Sequence, residues 1–424
     1  MTQHRAYCDI VKPDAVNSCV YTEPSILADE LNKIFDAQWV YIGHESEVPN
    51  PGDFKRSSIG LQSVILVRDK RADVHVFFNR CSHRAATVCQ DEAGNAEHFR
   101  CEYHGWTYDL DGTLAHLPYA DAYTDLDQSA SGLREPSQVD EYRGFYFACV
   151  RGTSNSLHEF LGKPVRDQID LFCDLSPLGR IRVQAGAAKL TYSGNWKLQM
   201  ENSIDGYHVN FTHQSFVKWS ARSSGQRLTL FDADSPAQCR ALGRGHSMLD
   251  FRNFHLLPAR REAHVARLQQ TNWGQKYYQD MVAAHGQDRA EEVIAIGGTH
   301  MSVFPNLVLL NQQVRNIRPI DATKTEVDLA PALLDGVPDE LNQLRLRQFE
   351  GFYTPLGGGI HDDIEMFNRV ADGVRGAADA WLIFKRGLGR EVVMEDGTVA
   401  GHVSDEVSQR EMWRHWLEVM SASA

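Results

Sequence analysis

The chain has 424 residues, room for two or three domains at the usual size of roughly 150 residues each. Its 42% hydrophobic content builds full cores without disulfide staples, and eight irregularly placed cysteines suit free thiols and metal ligands better than a secreted framework. The net charge of −13 argues against a nucleic-acid groove or an anionic membrane surface, and no run of about 18 apolar residues occurs, so a soluble, cytoplasmic protein is expected.

Residues 22–36 read as a helix, with Thr22 as N-cap and Pro24 in its first turn. A β-rich stretch follows. SSIGLQSVILVRD and RADVHVFFNRC are β-branched runs broken by turn residues, and YDLDGTLAHL carries an Asp-Gly hairpin signal. YRGFYFACV, residues 142–150, closes this unit, and RGTSNS behind it reads as a linker. Farther along, GNWKLQMENSIDGYHVNFTHQSF reads as helix with an interruption, and SVFPNLVLLNQQVRNIRPI as paired strands. The terminal SDEVSQREMWRHWLEVM is an amphipathic helix with Ser404 as cap. The expected class is α+β, with a β-rich domain over 37–152 and a second domain of antiparallel sheet and helix made from 1–36 and 153–424.

Residues 81–106, CSHRAATVCQDEAGNAEHFRCEYHGW, set Cys81 and His83 in one loop and Cys101 and His104 in another. Four such ligands could hold a structural zinc. They could also hold a Rieske [2Fe–2S] centre, in which two histidines replace two cysteines on one iron. Zinc fingers usually pair Cys with Cys and His with His, whereas each loop here supplies one of each. That arrangement suits a cluster with one all-Cys iron and one all-His iron. Gly105 lets the backbone turn close to sulfur, Trp106 shields the cluster, and Cys89 is left for core packing.

Such a cluster moves single electrons and needs a consumer. NWKLQMENSIDGYHVNFTH offers Glu201, Asp205 and His208 at i, i+4 and i+7, one face of a regular helix. His213 follows His208 by five residues, about 140° around at 100° per residue, so a break is expected between them. Two histidines and one carboxylate suit a mononuclear Fe(II) that activates O₂ at open positions. GGGIHDDIEMF supplies the carboxylate candidates Asp362 and Asp363.

Both stretches resemble the Rieske-type non-haem iron oxygenases, the large α subunits of aromatic-ring-hydroxylating systems. The Cys-x-His…Cys-x-x-His-Gly-Trp motif is complete. Asn195-Trp196-Lys197, Glu201-Asn202, Asp205, Tyr207-His208 and His213 follow the family's catalytic-helix pattern, and the likeness extends through FPNLVLL to the terminal MWRHWLEVM. The resemblance implies a helix-grip-like catalytic domain. It also implies that Cys81 and Cys101 bind one cluster iron, His83 and His104 the other, and that His208, His213 and Asp363 bind the mononuclear Fe(II). Asp205 would bridge the two centres, from His208 to His104 of a neighbouring subunit, with Asn202 beside it at the catalytic site.

No Gly-x-Gly-x-x-Gly or four-cysteine ferredoxin spacing occurs, so electrons from NAD(P)H are expected through a separate reductase or ferredoxin. Within the family the sequence is most similar to the benzoate and anthranilate dioxygenase branch. That implies O₂-dependent dihydroxylation of an aromatic acid, anthranilate first and benzoate or salicylate next. Arg222, Asn202 and Asn311 are candidates to meet the carboxylate, and Ile204, Val209, Phe216, Leu310 and Phe352 to line the pocket. The branch implies a small β subunit and an α₃β₃ or α₃ assembly, with no nucleic acid and no membrane. A Rieske monooxygenase or demethylase would share both sites, and a non-enzymatic zinc or iron-sulfur protein is the rival of another class.

Overall fold

A computed structural model of the chain describes residues 6–183, 188–225, 229–377 and 380–422. Two compact units result, one from Leu31–Phe160, the other from Met1–Glu30 with Leu161–Ala424. No helix among the described residues is long and apolar enough to cross a membrane.

The Leu31–Phe160 unit is built from short antiparallel strands. Asp53–Ile59 and Gln62–Arg68 form a hairpin, extended by Val74–Phe78 on one side and Ala93–Asn95 on the other. Val40–His44, Gln138–Tyr142 and Phe145–Cys149 make a second sheet. Arg143 and Gly144, with φ of 53° and 82°, join its last two strands in the left-handed conformation that a tight hairpin turn requires. Phe99–Arg100, Thr107–Tyr108 and Leu114–His116 form the third sheet, whose last two strands flank the expected Asp111-Gly112 turn. Cys89 is buried in a core with Phe54, Ile65, Phe77 and Trp106.

The other unit centres on a nine-stranded antiparallel sheet. Its order is Ala188–Ser193, Lys324–Pro331, Gln313–Asp321, Leu307–Leu310, His300–Val303, His246–Asp250, Gln238–Gly243, Val399–His402 and Val392–Val393. Leu307–Leu310 is buried at every position, which is why its sequence reads as an unbroken apolar run. Against this sheet pack the Trp196–Ser203 helix and the terminal Val407–Ser421 helix.

Several local expectations change. The helix near residue 24 starts at Pro24 and passes into a π-helical turn over Leu31–Phe35, and Thr22 closes the preceding 3₁₀ turn instead of capping it. The terminal helix starts at Val407, and Ser404 Oγ accepts from Arg386 and lies 2.9 Å from His402 Nδ1 rather than capping. Glu201, Asp205 and His208 do not share a helix face, because the helix ends at Ser203. At Gly206 the chain passes so close to Val403 that a Cβ would lie 2.3 Å from its carbonyl oxygen. Asp205 Oδ1 then accepts from the backbone N–H of Tyr207 and His208 at 2.5 and 3.3 Å, turning the chain before helix resumes at Val209–Thr212 and Gln214–Ser224.

Candidate metal centres

The two Cys/His loops are the same turn made twice. Cys81 N–H donates to Ala86 O and Ala85 N–H to Cys81 O, at 2.8 and 2.9 Å. Cys101 N–H donates to Trp106 O and Gly105 N–H to Cys101 O at the same two distances. The fourth residue after each cysteine, Ala85 or Gly105, is left-handed, at φ 58° and 74°. Cys81 and Cys101 are buried, and the two thiols lie within hydrogen-bonding reach of each other. The two imidazoles form the outer end, with ring centroids 4.5 Å apart, and His83 stacks on Trp106 at 5.0 Å and 5°.

Thiols together and imidazoles together fit a two-iron cluster, with one iron in each pair. His83 Nδ1 is buried without a hydrogen-bond partner among the described residues, as a nitrogen awaiting a metal would be. Polar groups surround the sulfurs. Tyr108 Oη lies 3.0 Å from Cys81 Sγ and accepts from Ser82 N–H, and the N–H groups of Tyr103 and His104 point to Cys101 Sγ. Burial is the main cause of an upward shift in both Cys101 and Tyr108.

In the larger unit His208, His213 and Asp363 each offer one ligand atom, and these atoms lie within 4.8 Å of one another. Asp363 Oδ1 is 3.2 Å from His213 Nε2 and 3.6 Å from His208 Nε2. Asn202 Nδ2 donates to Asp363 Oδ1 at 3.2 Å and lies 3.4 Å from His208 Nε2. Behind the histidines, Asp205 Oδ2 stands 3.6 Å from His208 Nδ1, and Asp362 Oδ2 stands 3.4 Å from His213 Nδ1. The two carboxylates open the Ile360–Arg375 helix, set in place by Gly359, where a Cβ would meet the Phe352 ring at 2.2 Å.

Burial pushes the Asp363 carboxyl up, but the His213 hydrogen bond and the charges of His208, His213 and Arg315 outweigh it and leave it below the usual range. Burial lowers His208, yet the Asp205 carboxylate and Asp363 leave it net raised. Two imidazole nitrogens and a carboxylate oxygen converging from one side suit a divalent iron that keeps open positions.

The remaining candidates divide. Phe216 and Phe352 meet at 4.7 Å, and Phe352 lies 5.1 Å from His213. Ile204 and Leu310 are buried. Arg222 is exposed in the last turn of its helix, and Asn311 turns the Leu307–Leu310 strand into the next with its carbonyl bound by Arg345. Sequence reasoning missed His300, whose Nε2 is 2.5 Å from Ser203 O and whose pKa burial lowers to about 3. It missed Arg315 too, wholly buried in a strand read only for its apolar residues. No signal in the strand set it apart, since Gln313, Asn316 and Arg318 also interrupt its apolar residues.

Residues 38–136 match the Rieske [2Fe-2S] domain, and residues 179–422 match the catalytic domain of the ring hydroxylating alpha subunit. Together they define a Rieske non-haem iron oxygenase, whose cofactors are a [2Fe–2S] cluster and a mononuclear iron. The chain belongs to the ring-hydroxylating dioxygenase α-subunit family. It is 33% identical to the anthranilate 1,2-dioxygenase large subunit of Acinetobacter baylyi, over 87% of this chain and 79% of that one. It is equally identical, with the same coverage, to the 2-halobenzoate 1,2-dioxygenase large subunit of Burkholderia cepacia. Its fold matches a crystal structure of naphthalene 1,2-dioxygenase with a TM-score of 0.83 at 24% identity, over 99% of this chain and 96% of that one.

Proposed function

We propose that this chain is the oxygenase large subunit that dihydroxylates an aromatic carboxylate, with anthranilate, giving catechol, as first substrate and benzoate or salicylate next. The observation that carries the reading is the convergence of His208, His213 and Asp363 in a chain 33% identical to two oxygenases named for aromatic acids. Cys81, His83, Cys101 and His104 hold the cluster, within a domain taken as 37–152. His208, His213 and Asp363 hold the iron, within 1–36 and 153–424.

When bound, the cluster supplies single electrons and the iron activates O₂ beside the ring. The chain's own residues orient and shield. Asn202 Nδ2 fixes Asp363 Oδ1, and Asp362 fixes His213 so that Nε2 faces the site. Asp205 does the same for His208, and the family resemblance has it bridge to His104 of a neighbouring subunit. Phe216 and Phe352 exclude water on the His213 side. Electrons come from NAD(P)H through a separate reductase or ferredoxin. A small β subunit completes an α₃β₃ assembly, or the chain forms α₃ alone, in the cytoplasm.

Product analysis with a generic reductase tests the chemistry: catechol from anthranilate supports dihydroxylation, whereas singly hydroxylated or demethylated products would assign a monooxygenase. Mixing a cluster-dead His104→Ala chain with an iron-dead His213→Ala chain tests the geometry. Mixed trimers should regain partial activity, and wholly inactive ones would place electron transfer within one chain.

A further inference from the structure

Two buried side chains on the catalytic sheet, Arg315 and Gln313, keep N–H groups that no hydrogen bond among the described residues takes up. His300 pairs with Leu310, Leu310 with Gln313, and Val308 with Arg315. Residues directly opposed in antiparallel strands share a face, as do residues two apart on one strand, so His300, Gln313 and Arg315 all point the same way. His300 Nε2 meets Ser203 O, which turns this face toward the end of the Trp196–Ser203 helix, where Asn202 touches both His208 and Asp363.

Arg315 is 2% exposed and Gln313 is 0% exposed. Among the described residues Arg315 makes one hydrogen bond, from Nε to Gln313 Oε1 at 3.2 Å, and its guanidinium stands 5.3 Å from the Tyr353 ring centre. No carboxylate among the described residues forms an ion pair with it. Gln313 Nε2 is buried and makes no hydrogen bond of ordinary length and angle among those residues, although its amide does interact with the Tyr353 hydroxyl. Asp363 is the acid whose charge reaches Arg315, but its Oδ1 is already engaged by Asn202, His208 and His213. A guanidinium and an amide kept dry with N–H groups left over are costly unless an anion completes them.

We propose that Arg315 and Gln313 form the subsite for the carboxylate of the aromatic acid, Arg315 donating through its terminal nitrogens and Gln313 through Nε2. The fork of a guanidinium matches the two oxygens of a carboxylate, and a site built this way rejects neutral analogues by leaving its donors unpaired. The inference rests on the reading of the substrate as an aromatic acid and adds the residues that select it.

Calorimetric titration of the intact, iron-loaded oxygenase with benzoate and with benzamide is the test, read beside KM and kcat for anthranilate. Arg315→Met should weaken benzoate binding about 30-fold and raise KM more than it lowers kcat, with benzamide binding changed by less than about threefold. Gln313→Glu, nearly isosteric, offers Arg315 an internal carboxylate and should abolish benzoate binding while benzamide still binds. A purely structural Arg315 would weaken both ligands alike, and this outcome would overturn the subsite. Unchanged benzoate affinity in either variant would also overturn it while leaving aromatic acids as substrates. A wild-type protein that binds benzamide or toluene but no aromatic acid would remove the substrate reading, and the subsite with it.

Discussion

Asp362 and Asp363 take opposite edges of one imidazole: Asp363 Oδ1 lies 3.2 Å from His213 Nε2, and Asp362 Oδ2 lies 3.4 Å from His213 Nδ1. Only the Nε2 edge also faces His208. Asp363→Ala should therefore lose the mononuclear iron and all oxygenation while the visible spectrum of the cluster persists. Asp362→Ala should keep iron but bind it about 10- to 100-fold more weakly, since it frees the ring that Asp362 orients. Iron analysis of both variants after mild chelation checks this; the opposite pattern would exchange the two roles.

The hydrogen bond between Tyr108 and Cys81 sets a second expectation. With Ser82 N–H donating to its oxygen, the Tyr108 hydroxyl is free to donate to the Cys81 sulfur. A donor to sulfur stabilises the reduced, more negative cluster. Tyr108→Phe should lower the reduction potential by on the order of 60 mV, the one-electron equivalent of about 1.4 kcal/mol. Protein-film voltammetry at fixed pH measures it, and an unchanged potential would assign the bond to packing alone.

Ala85 occupies the left-handed position that glycine holds in the second loop. An alanine there costs roughly 1 kcal/mol against glycine. Ala85→Gly should raise the urea midpoint of the Leu31–Phe160 unit by a corresponding amount and leave the cluster spectrum intact. A lower midpoint would show that the loop needs the methyl group.

Glu201 ties pH to stability. Burial holds its carboxyl up at about 7, although Tyr21 Oη and Trp413 Nε1 both donate to it, at 2.6 and 2.8 Å. An acid whose folded pKa lies above its unfolded value of about 4.5 favours folding fully below that unfolded value. This contribution is lost as pH rises through about 7. Its loss is on the order of 3 kcal/mol. Glu201→Gln cannot ionise and keeps an acceptor for both donors. Its urea midpoint should gain on the wild type between about pH 5 and pH 8; parallel curves would mean that Glu201 stays ionised.

The paired Cys/His loops and the His208/His213 stretch were legible as short local motifs, whereas Asp363 comes from a distant segment and is brought beside the two histidines only by the fold. That the helix is interrupted was readable from the spacing of His208 and His213, although the break was expected between them and falls instead after Ser203, ahead of both. Its mechanism was not readable, because Gly206 is dictated by the Val403 carbonyl, nearly two hundred residues away. The same limit hid the buried ion pair of Lys197 with Glu30, 2.5 Å apart, to which Trp196 and Trp416 also donate. Arg315 and Gln313 gain meaning only from the register that sets them beside His300. Caps failed at Thr22 because it closes the local Ser18–Tyr21 turn, and at Ser404 because Arg386 and His402 hold its hydroxyl.

The paired cysteine loops are each locked by two backbone hydrogen bonds that involve no metal. A zinc finger, by contrast, draws its folding energy from the ion and collapses without it. Here the backbone bonds of each loop come from the chain itself, so the cluster should add less to the folding stability of this unit than zinc adds to a finger. Urea midpoints before and after removal of the cluster would check this.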